Sequence, residues 1–275
     1  MGRLGFITDL SEEDFRFAAD EGLVVEYNVN DETIDGFLAK EETISRYEQE
    51  YGVAFSAIGR FGRDRISDDP AVRNREEASA IALMEWCARH RVPTFVCGAG
   101  PAAGRSMEEC ARRAVDVFGR LVEVGRRLGV RVAVYNCDWG NCVDRPSMWE
   151  KVHGALPGLG IKYDPSHAIY GGRDYLAEAA AWGHRFVHFH AKDSLPVGGK
   201  RFTDPPAGMG VTAWGPLLAL LYHHGYWGDI IIEPHAEPWV RTLRYPGIRI
   251  ARRTLEPFLI DAGTTDPAGK GGGRA

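Results

Sequence analysis

Eight short apolar runs recur along the chain, and longer stretches with apolar positions at helical spacing lie between most of them. The runs are RLGFIT, GLVVEYNV, YGVAFSAIG, VPTFVCG, VRVAVYNC, LGIKYD, RFVHFHAK and DIIIEPH. They are rich in Val, Ile, Phe and Tyr and nearly continuous in apolar character, which suits strands covered on both faces. SEEDFRFAADEG opens on Ser11, a favoured helix N-cap, with glutamates directly after it. Residues 74–90 place Ala80, Ile81, Met84 and Cys87 on one face, and residues 105–128 carry Ala114, Val115, Phe118, Leu121 and Val122 as a stripe. Further helices are predicted over 146–156, 174–183, 212–225 and 245–259. Strand–helix alternation repeated eight times, without a break in composition, predicts an α/β fold: a single (β/α)8 TIM barrel over residues 1–261. Residues 262–275 are Gly-rich, lack large apolar side chains and are expected to form a disordered tail. An open doubly wound sheet is disfavoured, because no strand leads into a GxGxxG loop or a P-loop.

Composition narrows the function classes. The 275 residues are 44% hydrophobic with a net charge of −5, and the pI is near 6.0. No Lys/Arg stripe is present, which argues against nucleic acid or an anionic membrane as the main partner. No run approaches the roughly 18 to 20 apolar residues that span a bilayer. The opening MGRLGFITDLSEEDF turns acidic too early for a secretory signal, and Phe6 stands where a myristoylation site expects Ser or Thr. Five cysteines without a close CxxC pair read as reduced thiols, so a cytoplasmic location is expected.

In such a barrel, chemistry sits at the C-terminal strand ends. That rule selects Glu26 and Asn28, Tyr135 and Asn136, Asp164 and His167, His188, His190 and Lys192, and Glu233 and His235. Strand alternation points His188, His190 and Lys192 one way, with Phe189 and Ala191 turned to the helices. The same parity places Glu233 and His235 on one face. Asp164, His190 and Glu233 then converge as carboxylate, imidazole and carboxylate, an open divalent-metal site. Each alone has an ordinary reading: a helix cap, a core imidazole, an arginine partner. Their coincidence at one depth favours a cation, since two buried carboxylates side by side are costly without one. His188 is expected one layer below. Trp139 and Trp239 follow strands five and eight and are placed to form a stacking wall at the mouth, whereas Trp149, Trp182, Trp214 and Trp227 read as helix-packing residues. The segment SLPVGGKRFTDPPAGMG reads as a long functional loop, with Lys200 and Arg201 able to hold a phosphate or sugar acid.

The segments YDPSH, HFHAKD and GYWGDIIIEPH, in this order, resemble the sugar phosphate isomerase/epimerase superfamily with its xylose-isomerase-like TIM barrel. The resemblance is clear over residues 128–235 and rests on strand rhythm before that. It implies a divalent metal (Mn²⁺, Mg²⁺, Co²⁺ or Zn²⁺) held by Asp164, His190 and Glu233. It also implies His167 and Lys192 as contacts to substrate oxygens, and a small sugar or sugar derivative as the partner. The family's first metal-bound glutamate has no counterpart, because Tyr135 stands in its place. Asn136, Asp138, His235 or water would then complete the shell, and two-base epimerisation in its usual form is put in doubt. A one-base reaction remains: isomerisation through an enediolate with Glu233 as base, or β-elimination from a 3-keto sugar or keto-glycoside with Tyr135 as acid. Asn136, His235, Trp139 and Arg201 are the further candidate substrate contacts. Three other readings stand beside this one. A metal-free barrel could serve as a partner subunit, the chain could form a homo-oligomer, and endonuclease chemistry is disfavoured by the acidic pI and missing ligands.

Overall fold

The computed structural model describes residues 2–260. Each apolar run becomes a parallel strand: β1 (Leu4–Ile7), β2 (Val24–Asn28), β3 (Phe55–Arg60), β4 (Thr94–Cys97), β5 (Arg131–Tyr135), β6 (Gly160–Tyr163), β7 (Phe186–Ala191) and β10 (Ile230–Ile232). They close in the order β1-β10-β7-β6-β5-β4-β3-β2, so no barrel edge is left open. The helices α1 (Glu12–Glu21), α4 (Pro70–Arg89), α5 (Met107–Leu128), α6 (Pro146–Ala155), α8 (Tyr175–Trp182), α9 (Trp214–His223) and α10 (Arg244–Leu255) cover the outside. Caps set several of their ends. Ser11 accepts from Asp14 N and Gly22 adopts φ 64° at the far end of α1. Ser106 and Gly129 do the same for α5. Among the described residues no helix is long and apolar enough to cross a membrane.

Five elements go beyond the pattern reading. Two helices, α2 (Ile34–Leu38) and α3 (Glu41–Tyr51), fill the β2–β3 connection, and α7 (Pro165–Tyr170) follows β6 directly. The segment after β7 is not plain loop: β8 (Leu195–Val197) and β9 (Lys200–Thr203) form an antiparallel hairpin. Gly198 and Gly199 turn it at φ 60° and 74°, a backbone that side-chain-bearing residues rarely adopt. Buried Asp193 anchors this excursion. It accepts hydrogen bonds from Ser194 N, Thr212 N, Gly208 N and Trp214 Nε1 at 2.9 to 3.1 Å.

The main core lies between strands and helices, with Phe6, Phe55, Phe95, Val134, Phe189 and Ile232 facing Phe15, Leu83, Trp86, Phe118 and Leu218. A small separate cluster of Ala57, Val96, Ala133 and Tyr135 lies apart from it. Strand pairing carries the parity around the barrel: Gly5 pairs with Ile231, Ala57 with Glu26, Tyr135 with Lys162, and Lys162 with His188. One side of the interior therefore holds small apolar side chains, and the other holds long ionisable ones. The seam between first and last helices is tied by buried Asp14, which accepts from Thr8 Oγ1, Tyr245 OH and both terminal nitrogens of Arg244.

On the outer wall, the His90 imidazole stacks on Trp86 at 3.9 Å and lies 2.6 Å from Glu48 and 3.2 Å from Glu41. Burial opposes its charged form, but Glu48 and Glu41 outweigh that and raise its pKa. A raised native pKa adds stability that is full below about pH 6.5 and fades as pH climbs through the native value. The Tm deficit of His90→Gln against wild type is therefore expected to be larger at about pH 6 than at about pH 9. Thermal melts across that range check it, and a constant deficit would rule the ion pairs out.

Candidate metal centre and sugar-binding cavity

The strand ends deliver their ionisable side chains to a cavity of about 450 Å³ lined by, among others, Asn28, Trp139, His167, His190, Lys192, Arg201, Glu233 and His235. The deepest layer is Glu26, fully buried on β2. Its Oε2 lies 2.5 Å from His188 Nε2 and 2.9 Å from His190 Nε2. Burial would raise the Glu26 pKa, but the two imidazoles outweigh it and hold it well below the usual carboxylate range. His188 thus sits beneath the site, as parity predicts, and Glu26 fixes the orientation of His190 from behind.

Above it, His190 Nδ1 lies 2.8 Å from Glu233 Oε2. The Lys192 ammonium donates to Glu233 Oε1 at 3.0 Å and lies 3.4 Å from Asp164 Oδ2, bridging the two carboxylates. Burial works against charge on Lys192, yet Asp164 and Glu233 prevail and raise its pKa. Both carboxylates are correspondingly held well below their usual range, first by Lys192. His167 Nε2 approaches Asp164 Oδ2 at 3.4 Å. Its pKa, lowered by burial but raised more by Asp164, stands at about 9, so the ring is cationic at neutral pH.

Asp164 carries two jobs on its two oxygens. Oδ1 accepts from Ser166 N at 2.9 Å and caps α7, so the ordinary capping role is real. Oδ2 is buried without a hydrogen-bond partner. Asp164, His190 and Glu233 each offer a ligand atom within 4.8 Å of the others. A buried carboxylate oxygen that accepts no hydrogen bond, beside a second carboxylate and an imidazole, fits a divalent cation. Glu26, His188 and His190 form a second such grouping, in which Glu26 Oε2 engages both imidazoles and Oε1 is buried without a hydrogen-bond partner.

Two expected site residues serve elsewhere. Tyr135 is buried beside the cavity. Its hydroxyl accepts from Gly62 N and donates to Trp139 O, both at 3.1 Å, while the ring packs on Phe61. Burial raises its pKa, and Gly98 leaves room for it, since a Cβ there would meet the hydroxyl at 2.5 Å. It ties the loop at Gly62 to the loop at Trp139. Asn136 is also withdrawn. It donates to Asp164 O and accepts from Asp164 N, both at 2.9 Å, and so holds that residue's backbone. Of the expected aromatic wall, half-exposed Trp139 lines the mouth over Gly62. Trp239 instead packs on Gly247, away from it. Trp227 is exposed and does not pack in the core. Arg201 and His235 meet at Asp204, with His235 Nδ1 3.2 Å from Glu233 Oε1. Asn28 lines the cavity as expected, and Lys162 and Phe61 line it beyond the earlier candidates. Lys162 was legible by parity, two residues before Asp164, while the ring of Phe61 follows from loop geometry.

Residues 15–260 match the family described as xylose isomerase-like TIM barrel. The chain belongs to that family. No curated protein matches it in sequence. Among solved structures, the fold resembles the IOLI protein with a bound zinc atom (TM-score 0.77, 15% identity, 93% of this chain and 97% of that one). It also resembles a D-allulose 3-epimerase from Methylomonas sp. (0.73, 15%, 94% and 98%) and the E. coli 3-keto-D-glucoside 4-epimerase YcjR (0.72, 14%, 94% and 99%). Identities this low carry the fold alone.

If Tyr135 is a loop anchor, Tyr135→Phe leaves Gly62 N–H and Trp139 C=O short of a partner and costs on the order of 1–2 kcal/mol. A lower Tm with unchanged metal stoichiometry is expected. An unchanged Tm would remove the anchoring role.

Proposed function

We propose that the chain is a divalent-metal-dependent, isomerase- or epimerase-like enzyme that removes a proton next to a carbonyl of a sugar or sugar derivative. The observation that carries this reading is the convergence of Asp164, His190 and Glu233 at the floor of a polar cavity, with Asp164 Oδ2 accepting no hydrogen bond although Lys192 and His167 lie 3.4 Å away. The zinc in the IOLI structure and the sugars named for the two epimerases support the ligand classes. Asp164, His190 and Glu233 would hold the cation, which when bound would polarise the substrate carbonyl. Glu233 takes the proton from the adjacent carbon, and the cationic Lys192 and His167 donate to the oxygens on which charge builds. Arg201 and His235 bind the far end of the sugar, and Trp139 covers a face of it.

A second reading, β-elimination from a 3-keto sugar, is favoured by Tyr135 standing where the second carboxylate base would be. Glu233 would take the proton next to the ketone, the β C–O bond would break, and His167 would protonate the leaving oxygen, giving an enone.

Elemental mass spectrometry comes first, on wild type and His190→Ala. About one equivalent of metal in wild type and its loss in the variant is expected. NMR in D₂O with ketohexoses and a 3-keto-glucoside then separates the chemistries. Deuterium uptake with an isomeric product supports isomerisation or epimerisation, and a released leaving group supports elimination. No metal in either protein after incubation with each ion would defeat the proposal and leave a non-catalytic barrel.

A further inference from the structure

A second cavity, of about 270 Å³, opens between α4, α5 and the segment leading from β3 to α4. Its charged wall is five arginines, Arg65, Arg73, Arg112, Arg113 and Arg120, against one carboxylate, Asp116. Three of the five are neutralised by neighbours. Arg112 pairs with Glu109 and Asp116, Arg113 with Glu109 and Asp68, and Arg120 with both oxygens of Glu77 at 2.7 Å.

The other two differ. Arg73 donates only to the carbonyls of Ser67 and Asp68. Arg65 is 1% exposed and donates Nη1 to Gly98 O at 3.0 Å, while its Nε and Nη2 are buried without partners. Among the described residues neither has a carboxylate within ion-pair distance, not even Asp64 beside Arg65 in the chain. A buried guanidinium with idle donors and no counter-charge is a costly arrangement that a bound anion would relieve. The planar fork of Arg matches two oxygens of a phosphate group, which makes phosphate the fitting anion.

We propose that this cavity is a binding site for the phosphate group of a small molecule, gripped by Arg73 with the uncompensated charge of buried Arg65 behind it, and separate from the barrel mouth. It does not depend on the metal centre, and Arg65 links it to the mouth through Gly98, which packs against Tyr135.

Isothermal titration calorimetry at low salt, with inorganic phosphate and with glucose 6-phosphate, tests it on the whole chain. Saturable binding is expected, weakened at least about tenfold by Arg73→Ala and less by Arg73→Lys, which keeps the charge but loses the fork. Arg16→Ala, at a surface arginine outside both cavities, should bind as wild type does. Tighter binding of the sugar phosphate would assign a monoester, and equal binding a phosphate group alone. Absence of saturable binding with either probe overturns the proposal. So does binding that survives Arg73→Ala but is lost in Arg201→Ala, because the anion would then sit at the barrel mouth. Metal content is unchanged in Arg73→Ala on this view, so failure here leaves the catalytic reading standing.

Discussion

Three carboxylates inside one barrel set the terms for the rest of this structure. Glu26, Asp164 and Glu233 are drawn into the interior by strand parity, and burial of each as an anion is tolerable only beside positive charge. Lys192 bridges two of them, His190 joins Glu233 to Glu26, and His167 and Lys162 attend Asp164. These partners come from β6, β7 and the chain just after them, so correct register between β6, β7 and β10 is a condition of burial. A slip by one residue would turn His188, His190 and Lys192 toward the helices and leave the carboxylates uncompensated.

Much of this was legible in the sequence. The eight strands were readable because each is buried on both faces and so has a continuous apolar signature. The convergence of Asp164, His190 and Glu233, and the inward turn of Lys192 and His235, followed from two-residue alternation at strand ends. What escaped reading lacked such a signal. α3 buries only Ile44 deeply, so its apolar stripe is faint. The β8–β9 hairpin is exposed and carries few core contacts, although Gly198-Gly199 was a turn signal available in the sequence. The expected tail at 262–275 lies outside the described residues.

Tyr135 and Asn136 show a different limit. Both lie at the strand end where barrel chemistry is sought, and position alone could not separate a group that faces substrate from one that holds the loops around it. Only the partners decide: Gly62 and Trp139 for one, the Asp164 backbone for the other. Trp139 and Trp239 differ for the same reason, since loop conformation rather than strand parity aims them. The arginine cavity was invisible as well. Its members sit on two helices and a loop, where Arg112-Arg113 reads as a solvated pair.

Tyr135 also bears on the field at the mouth. A phenol held neutral by burial adds no negative charge there. Glu233 and Asp164 are already matched by Lys192 and the cationic His167, and Arg201 adds a further cation at the rim beside Asp204. Fixed positive groups aimed into a sheltered cavity favour a transition state in which oxygen gains negative charge. Burial would strengthen Glu233 as a base, but Lys192, His190 and His235 outweigh it and depress its basicity, so proton removal depends on the substrate acid being strengthened by its own carbonyl. That pairing, a weak carboxylate base with strong stabilisation of the developing oxyanion, suits enolisation of a ketone better than attack on an unactivated sugar carbon.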